Sequence, residues 1–170
     1  MHYTQKYTSP LGIITLASDG EAIIGLWFDG QKFFADTLGD DFEEKDLPIF
    51  TRAREWLDIY FSGKEPHFSL PLSMKASPFR VKVWEILKDI PYGKTITYGE
   101  IAKRIEKESG KRVSAQAVGG AVGHNPISII VPCHRVIGAG GKLTGYAGGI
   151  EIKLRLLELE GVDTSALFVN

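Results

Sequence analysis

Thr97-Tyr98-Gly99-Glu100-Ile101-Ala102-Lys103-Arg104-Ile105-Glu106 and, beyond a basic connection through Lys107, Lys111 and Arg112, Ser114-Ala115-Gln116-Ala117-Val118-Gly119-Gly120-Ala121-Val122 read as two short helices. Thr97 and Glu100 have the spacing of a capping box, in which hydroxyl and carboxylate satisfy each other's exposed backbone donors. Ser114 is placed to cap the second helix, whose small residues allow close approach to another surface. Two such helices with a basic joint predict a helix-turn-helix. Upstream, Ser77-Pro78 opens a further helix in which Phe79, Val83, Trp84, Ile86, Leu87 and Ile90 share an apolar side, ended by Pro91-Tyr92-Gly93. Downstream, residues 127–131 read as a short buried apolar stretch that delivers Cys133, after Pro132, into a turn. Gly138, Gly140, Gly141 and Gly145 make the next region loop-like. A last helix over about 149–160 is supported by Ile152, Leu156 and Leu159 on one side and by Gly161 past its end.

The first part of the chain has a different pattern. Met1 to Lys6 lead through alternating residues to a Ser9-Pro10 turn, and residues 12–18 and 22–28 are short apolar stretches joined by Asp19-Gly20, a hairpin signal. A small antiparallel sheet is expected. After an acidic link over 40–44, Ile49, Ala53, Trp56, Leu57 and Tyr60 recur at helical spacing, with Asp46 as candidate N-cap and Gly63 as the stop. Residues 66–71 read as a linker, and the charge changes sign there. Residues 1–70 carry 6 Lys/Arg against 12 Asp/Glu, residues 71–170 carry 14 against 9, so a polyanion should meet the second part. The predicted fold class is α+β: a sheet-and-helix domain over 1–70, then a mostly helical domain over 71–170 that contains the helix-turn-helix.

A chain of 170 residues buries a core without staples, and no apolar run approaches the roughly 20 residues of a membrane helix. The N-terminus lacks the apolar core of a secretion signal, so a cytosolic protein with no membrane role is expected. One cysteine makes no internal disulfide, and four scattered histidines show no zinc spacing; no metal and no cofactor are expected.

Chemistry concentrates in Val131-Pro132-Cys133-His134-Arg135-Val136-Ile137, a thiol beside an imidazole between an apolar approach and a glycine-rich exit. The thiolate is the reactive form, and a nearby His lowers a thiol pKa. A lone cysteine is also a common small core residue, and adjacent side chains often diverge, so the pair alone leaves both readings open. A phosphate loop at Gly140-Gly141-Lys142 is set aside, because that pattern needs Gly where Val136 stands.

Pro132-Cys133-His134-Arg135-Val136 resembles the active-site signature of the O6-alkylguanine-DNA alkyltransferases. The context matches in order: Ala117-Val118-Gly119-Gly120-Ala121, Asn125-Pro126, the cysteine, Leu143-Thr144-Gly145-Tyr146-Ala147-Gly148-Gly149, then Leu156-Leu157-Glu158-Leu159-Glu160-Gly161. The match runs from about Ser77 to Gly161, and the first lobe resembles the family's variable, ribonuclease-H-like N-terminal domain in general plan. The resemblance implies direct-reversal repair in one turnover, in which Cys133 keeps the alkyl group from O6 of guanine as a thioether; O4-alkylthymine stays open as a substrate. It implies that His134 takes the thiol proton through a water, Glu160 orients the imidazole, Asn125 is the hinge, and Tyr98 meets guanine N3 and helps to flip the base. Without the family, His134 is a satisfied polar residue, Glu160 a solvated helix end, Asn125 a turn residue and Tyr98 a core aromatic.

The same resemblance places Tyr146, Ala147, Val136 and Gly148 around the base, and Gln116, Ser114, Ala117, Gly120 and Arg135 toward DNA. The implied partner is double-stranded DNA containing alkylated guanine, met in the minor groove with little sequence preference by a monomer. The implied compartment is the cytoplasm, or the nucleus in a eukaryote. Two departures stand out. Gln116 occupies the position where the family commonly has an arginine that fills the gap left by the flipped base, and Ala147 stands where other members often carry Ser. A lesion-binding module without transfer activity is a rival, argued against by the presence of Cys133. A cysteine hydrolase is another, which would need an oxyanion site.

Overall fold

Asp19 turns the chain as its sequence predicts: Oδ1 accepts from the backbone N–H groups of Glu21 at 3.0 Å and Ala22 at 2.9 Å. The flanking stretches form strands β2 (Gly12–Ser18) and β3 (Ile23–Phe28), numbered to follow β1 (His2–Ser9), and pair antiparallel with Leu16 opposite Leu26. The chain's first residues do more than lead in. Strand β1 pairs antiparallel with β2 and parallel with β4 (Phe42–Glu44), giving a four-stranded sheet of order β3-β2-β1-β4. The structure is a computed structural model that describes residues 1–169, and it divides into two units: residues 1–74 with 126–128, and residues 75–125 with 129 onward.

In the first unit, helix α1 (Pro48–Phe61) packs on β1 and β2 and buries Phe50, Ala53, Leu57 and Tyr60, while the strands contribute Ile14, Leu16, Ile23, Leu26 and Trp27. The expected cap is corrected here. Leu47, in extended backbone and with no side-chain bond, precedes Pro48, whose missing N–H suits the first helical position; Asp46 instead pairs with Arg54 at 3.1 Å. Residues 66–71 are also more than a linker, because the Ile23 N–H donates to the Pro71 carbonyl at 2.8 Å and the Ser73 N–H to Ile23 at 2.9 Å. Residues 126–128 bridge β3 in parallel through Ile127 and Leu26.

The second unit holds α2 (Pro78–Lys88), α3 (Tyr98–Ser109), α4 (Ala115–Gly123) and α5 (Ile150–Leu159), with a two-stranded parallel ladder between β5 (Ile96–Thr97) and β6 (Val136–Ile137). Helices α2, α3 and α4 begin where hydroxyls cap them: Ser77 accepts from the Arg80 N–H, Thr97 from Glu100 at 3.1 Å, and Ser114 from Ala117 at 3.0 Å. Helix α3 runs three residues beyond the expected end at Glu106. Gly110 stops it, at φ +72°, in the left-handed conformation that lets a C-terminal N–H turn back to the Glu106 carbonyl. Among the described residues, no helix is long and apolar enough to cross a membrane.

Candidate active site

Helices α3 and α4 form the helix-turn-helix, and side chains lock its joint. Glu106 accepts the Val113 N–H at 2.8 Å across the turn, and buried Trp84 on α2 donates from Nε1 to the Ala121 carbonyl at 2.8 Å. Val118, Ala121 and Val122 face inward, which leaves Gln116, Ala117 and Gly120 exposed along one side of α4. Ser114 is also exposed, its hydroxyl engaged as the cap.

After α4, buried Asn125 donates from Nδ2 to the Val131 carbonyl at 2.8 Å, so one side chain spans the turn that precedes the cysteine. The apolar stretch over 127–131 is largely buried, as expected, and turns over residues 128–130. Ile129 sits at φ +69°, a left-handed backbone that β-branched residues rarely adopt, and such strain recurs at functional sites. Cys133, His134 and Arg135 then form one tight 3-10 turn, closed by the Val136 N–H donating to the Cys133 carbonyl, and Val136 is held in β6 against Ile96. Cys133 is buried at the start of that turn.

Behind it lies a buried polar network. His134 Nε2 meets Glu160 Oε2 at 2.5 Å; Glu160 Oε1 accepts from Arg135 Nε at 2.8 Å and from the Gly93 N–H at 3.0 Å. Arg135 Nη1 donates in turn to the Ile90 carbonyl at 2.7 Å. Gly93 is needed for this approach, since its φ is +76° and a Cβ there would lie 3.1 Å from the Glu160 carbonyl oxygen. Burial alone would push the Glu160 carboxyl up, but the hydrogen bond and charge of His134, followed by those of Arg135, outweigh it and hold the group at about 2. His134, fully buried, is held below its ordinary value by desolvation, which outweighs the carboxylate's pull. A neutral imidazole has one donor and one acceptor, so with Nε2–H given to Glu160, Nδ1 carries the lone pair of a base.

Arg135 is a correction. It was expected to face DNA, but it is 8% exposed with its guanidinium committed to Glu160 and Ile90. The adjacency to Cys133 gives no sign of this, because its carboxylate lies 25 residues further along the chain.

Tyr98, first residue of α3, is half-buried, and its hydroxyl accepts from Thr144 Oγ1 at 2.7 Å, which leaves its own hydrogen to donate. Burial raises its pKa and keeps it protonated. Tyr146, Ala147 and Gly148 sit half-buried in a turn closed by the Gly149 N–H on the Tyr146 carbonyl at 2.9 Å, directly before α5. The site thus joins Cys133, His134 and Glu160 through one turn and one network, and ties Asn125 to it through Val131. Thr144 and Lys153 were missed by sequence reasoning. Lys153 is 0% exposed on α5, where a lysine would be expected to reach solvent. Among the described residues, no cluster of three His, Cys, Asp or Glu is placed to hold a metal ion.

A buried thiol, an imidazole bonded to a buried carboxylate and a tyrosine hydroxyl with a hydrogen to donate lie in the same unit as the two-helix surface. The family model described as the ribonuclease-like domain of 6-O-methylguanine DNA methyltransferase matches residues 1–74, and that for the DNA binding domain of the same family matches residues 78–162. A methylated-DNA–protein-cysteine methyltransferase of Methanosarcina acetivorans is 46% identical, covering 94% of this chain and 98% of the relative. One of Haemophilus influenzae is 40% identical over 95% of this chain and 87% of the relative. A crystal structure of Mycobacterium tuberculosis OGT in complex with DNA superposes with a TM-score of 0.83 at 43% identity, covering 97% of this chain and 94% of that one.

Proposed function

The chain belongs to the methylated-DNA–protein-cysteine methyltransferase family, and from that premise we propose that Cys133 is the residue that takes the alkyl group. The activity is direct-reversal DNA repair, transfer of an alkyl group from O6-alkylguanine in DNA to a protein cysteine. The observation that carries the assignment is the buried turn in which the chain's only cysteine stands beside His134, itself bonded to Glu160.

In this reading His134 Nδ1 accepts the thiol proton through a water, and Glu160 fixes the ring so that Nδ1 is the basic atom. The thiolate attacks the alkyl carbon; the S–C bond forms, the C–O6 bond breaks, and the electron pair stays on the guanine. Tyr98, donating toward guanine N3, supplies a proton to the leaving base, and its bond from Thr144 leaves that hydrogen available. The Cys133 carbonyl already accepts the Val136 N–H but has a second lone pair for the guanine amine, and the Val136 carbonyl is its companion acceptor. The turn of Tyr146, Ala147 and Gly148 walls the base, with the Ala147 N–H toward O6. The thioether does not revert, so each molecule acts once.

DNA is the partner, and we assign residues 71–170 its binding. The exposed side of α4, with Gln116, Ala117 and Gly120 and with Ser114 at its start, suits the minor groove, where sequence readout is poor and a scanner of lesions needs little. Gln116 can hydrogen-bond to an orphaned base but brings no charge. The protein acts as a monomer where DNA is kept, in the cytoplasm or, in a eukaryote, the nucleus.

The test is a titration of the protein with excess oligonucleotide containing O6-methylguanine. One lesion repaired per chain, and none with Cys133→Ser while DNA binding persists, is the expected result. Continued turnover at substoichiometric protein, or undiminished repair by the serine variant, would overturn the assignment.

A further inference from the structure

Lys153 stands outside the network just described. It is fully buried beside Leu156 and Leu157 on α5, and its ammonium donates one long hydrogen bond, 3.4 Å, to the Thr144 carbonyl. Its Nζ lies 6.0 Å from the centre of the Tyr98 ring, a weak partner for a cation. Among the described residues, no carboxylate forms an ion pair with it: the one buried carboxylate, Glu160, is taken by His134 and Arg135. A buried ammonium needs an anion, and α5 packs against the turn that carries Cys133, whose thiol is the acidic group acting on it.

We propose that Lys153 is a positioning residue for the transfer, its buried ammonium being the counter-ion that keeps Cys133 as the thiolate until an alkyl group arrives. This rests on Cys133 being the acceptor. The titratable groups acting on Lys153 are Cys133 and His134 on the turn, with the Tyr98 ring on α3 close by, while Glu160 is bonded to both His134 and Arg135. Burial pushes the lysine down to about 8, and the thiolate pulls in the other direction, so the ammonium is charged at neutral pH and loses its charge as pH rises past about 8. Burial also disfavours the His134 imidazolium, and the Lys153 charge adds to that. The proton that His134 takes from the thiol therefore passes on to solvent, and the lasting positive partner of the sulfur is Lys153. During transfer Lys153 keeps its proton, the sulfur becomes a neutral thioether, and the guanine takes its proton from Tyr98.

The test needs no DNA. Alkylation of Cys133 by iodoacetamide, followed by mass across about pH 5 to pH 10, reports the thiolate fraction through its midpoint rather than its plateau rate. With Lys153→Met the midpoint should rise by about one unit, making the reaction about tenfold slower near neutral pH, while Lys153→Arg should keep the wild-type midpoint. Should neither variant fold, the wild-type protein still decides: the Lys153 Cε resonance, followed by NMR before and after S-methylation with methyl iodide, should titrate from about 8 to a lower midpoint once the thiolate is gone. Equal cysteine midpoints in folded Lys153→Met and wild type, or a Lys153 titration unmoved by methylation, would overturn the pairing. If the midpoints shift as expected but methylated oligonucleotide delivers no methyl group, the pairing stands and the assignment of Cys133 as DNA acceptor fails.

Discussion

Replacing Glu160 with Gln tests the buried network most sharply, because the side chain keeps its shape and loses its charge. The substitution strands the Arg135 guanidinium without its anion and turns one end of the side chain into a donor facing either Arg135 or His134. Holding the carboxyl at about 2 instead of 4.5 corresponds to about 3 kcal/mol of stability at neutral pH, at about 1.4 kcal/mol per unit. Loss of one partner from a buried ion pair costs a similar amount, about 3–5 kcal/mol. The sign follows from a depressed carboxyl: the stabilisation is complete above about pH 4.5 and disappears as pH falls toward 2. His134, buried neutral below its ordinary 6.5, adds a separate loss that starts as pH falls below that value. Urea unfolding of the Glu160→Gln variant at pH 7 should therefore give a free energy lower by about 3 kcal/mol, and the gap to wild type should close as pH approaches about 2. Methyl transfer measured in single turnover should slow by about 100-fold, since the imidazole loses the carboxylate whose charge orients it and supports its basicity. A variant destabilised by less than about 0.5 kcal/mol, with transfer within about twofold of wild type, would refute the reasoning.

Arg135→Ala should lose about 3 kcal/mol of stability and leave the salt dependence of DNA binding unchanged; a salt slope reduced by about 1 would return Arg135 to the DNA surface. Gln116→Arg should tighten DNA binding and steepen that slope by about 1, as one more cation meets the backbone, and an unchanged slope in gel-shift titrations would turn the exposed side of α4 away from DNA. Tyr98→Phe should slow transfer at least about tenfold while changing stability by about 1 kcal/mol or less, because it removes one proton donor and one half-buried hydrogen bond. Transfer at the wild-type rate would contradict the role of its hydroxyl.

Local chemistry explains what could be read from the chain. Ser77, Thr97 and Ser114 cap the helices they precede, and Asp19 makes the hairpin turn, because each acts on backbone two or three residues away. Strand β1 escaped that reading: its interior place comes from pairing with β2 on one side and β4 on the other, while its own residues are largely polar. The apolar run over 127–131 is largely buried, as its composition suggests, yet the left-handed backbone of Ile129 that turns the chain there is a conformation that residue type argues against. At the site, the cysteine, histidine and glutamate were legible through resemblance, and the structure joins the last two. Arg135 and Lys153 were not. Both are long cations whose burial is decided by distant partners, Glu160 and Ile90 for one, Thr144 and the Cys133 turn for the other.

The most direct measurement is the intact mass of the protein before and after exposure to duplex DNA carrying O6-methylguanine, followed by peptide mapping. A gain of one methyl group per chain, located on the peptide that contains Cys133 and absent in Cys133→Ser, is the predicted result. No gain in mass, or a methyl group found on any other residue, would contradict it.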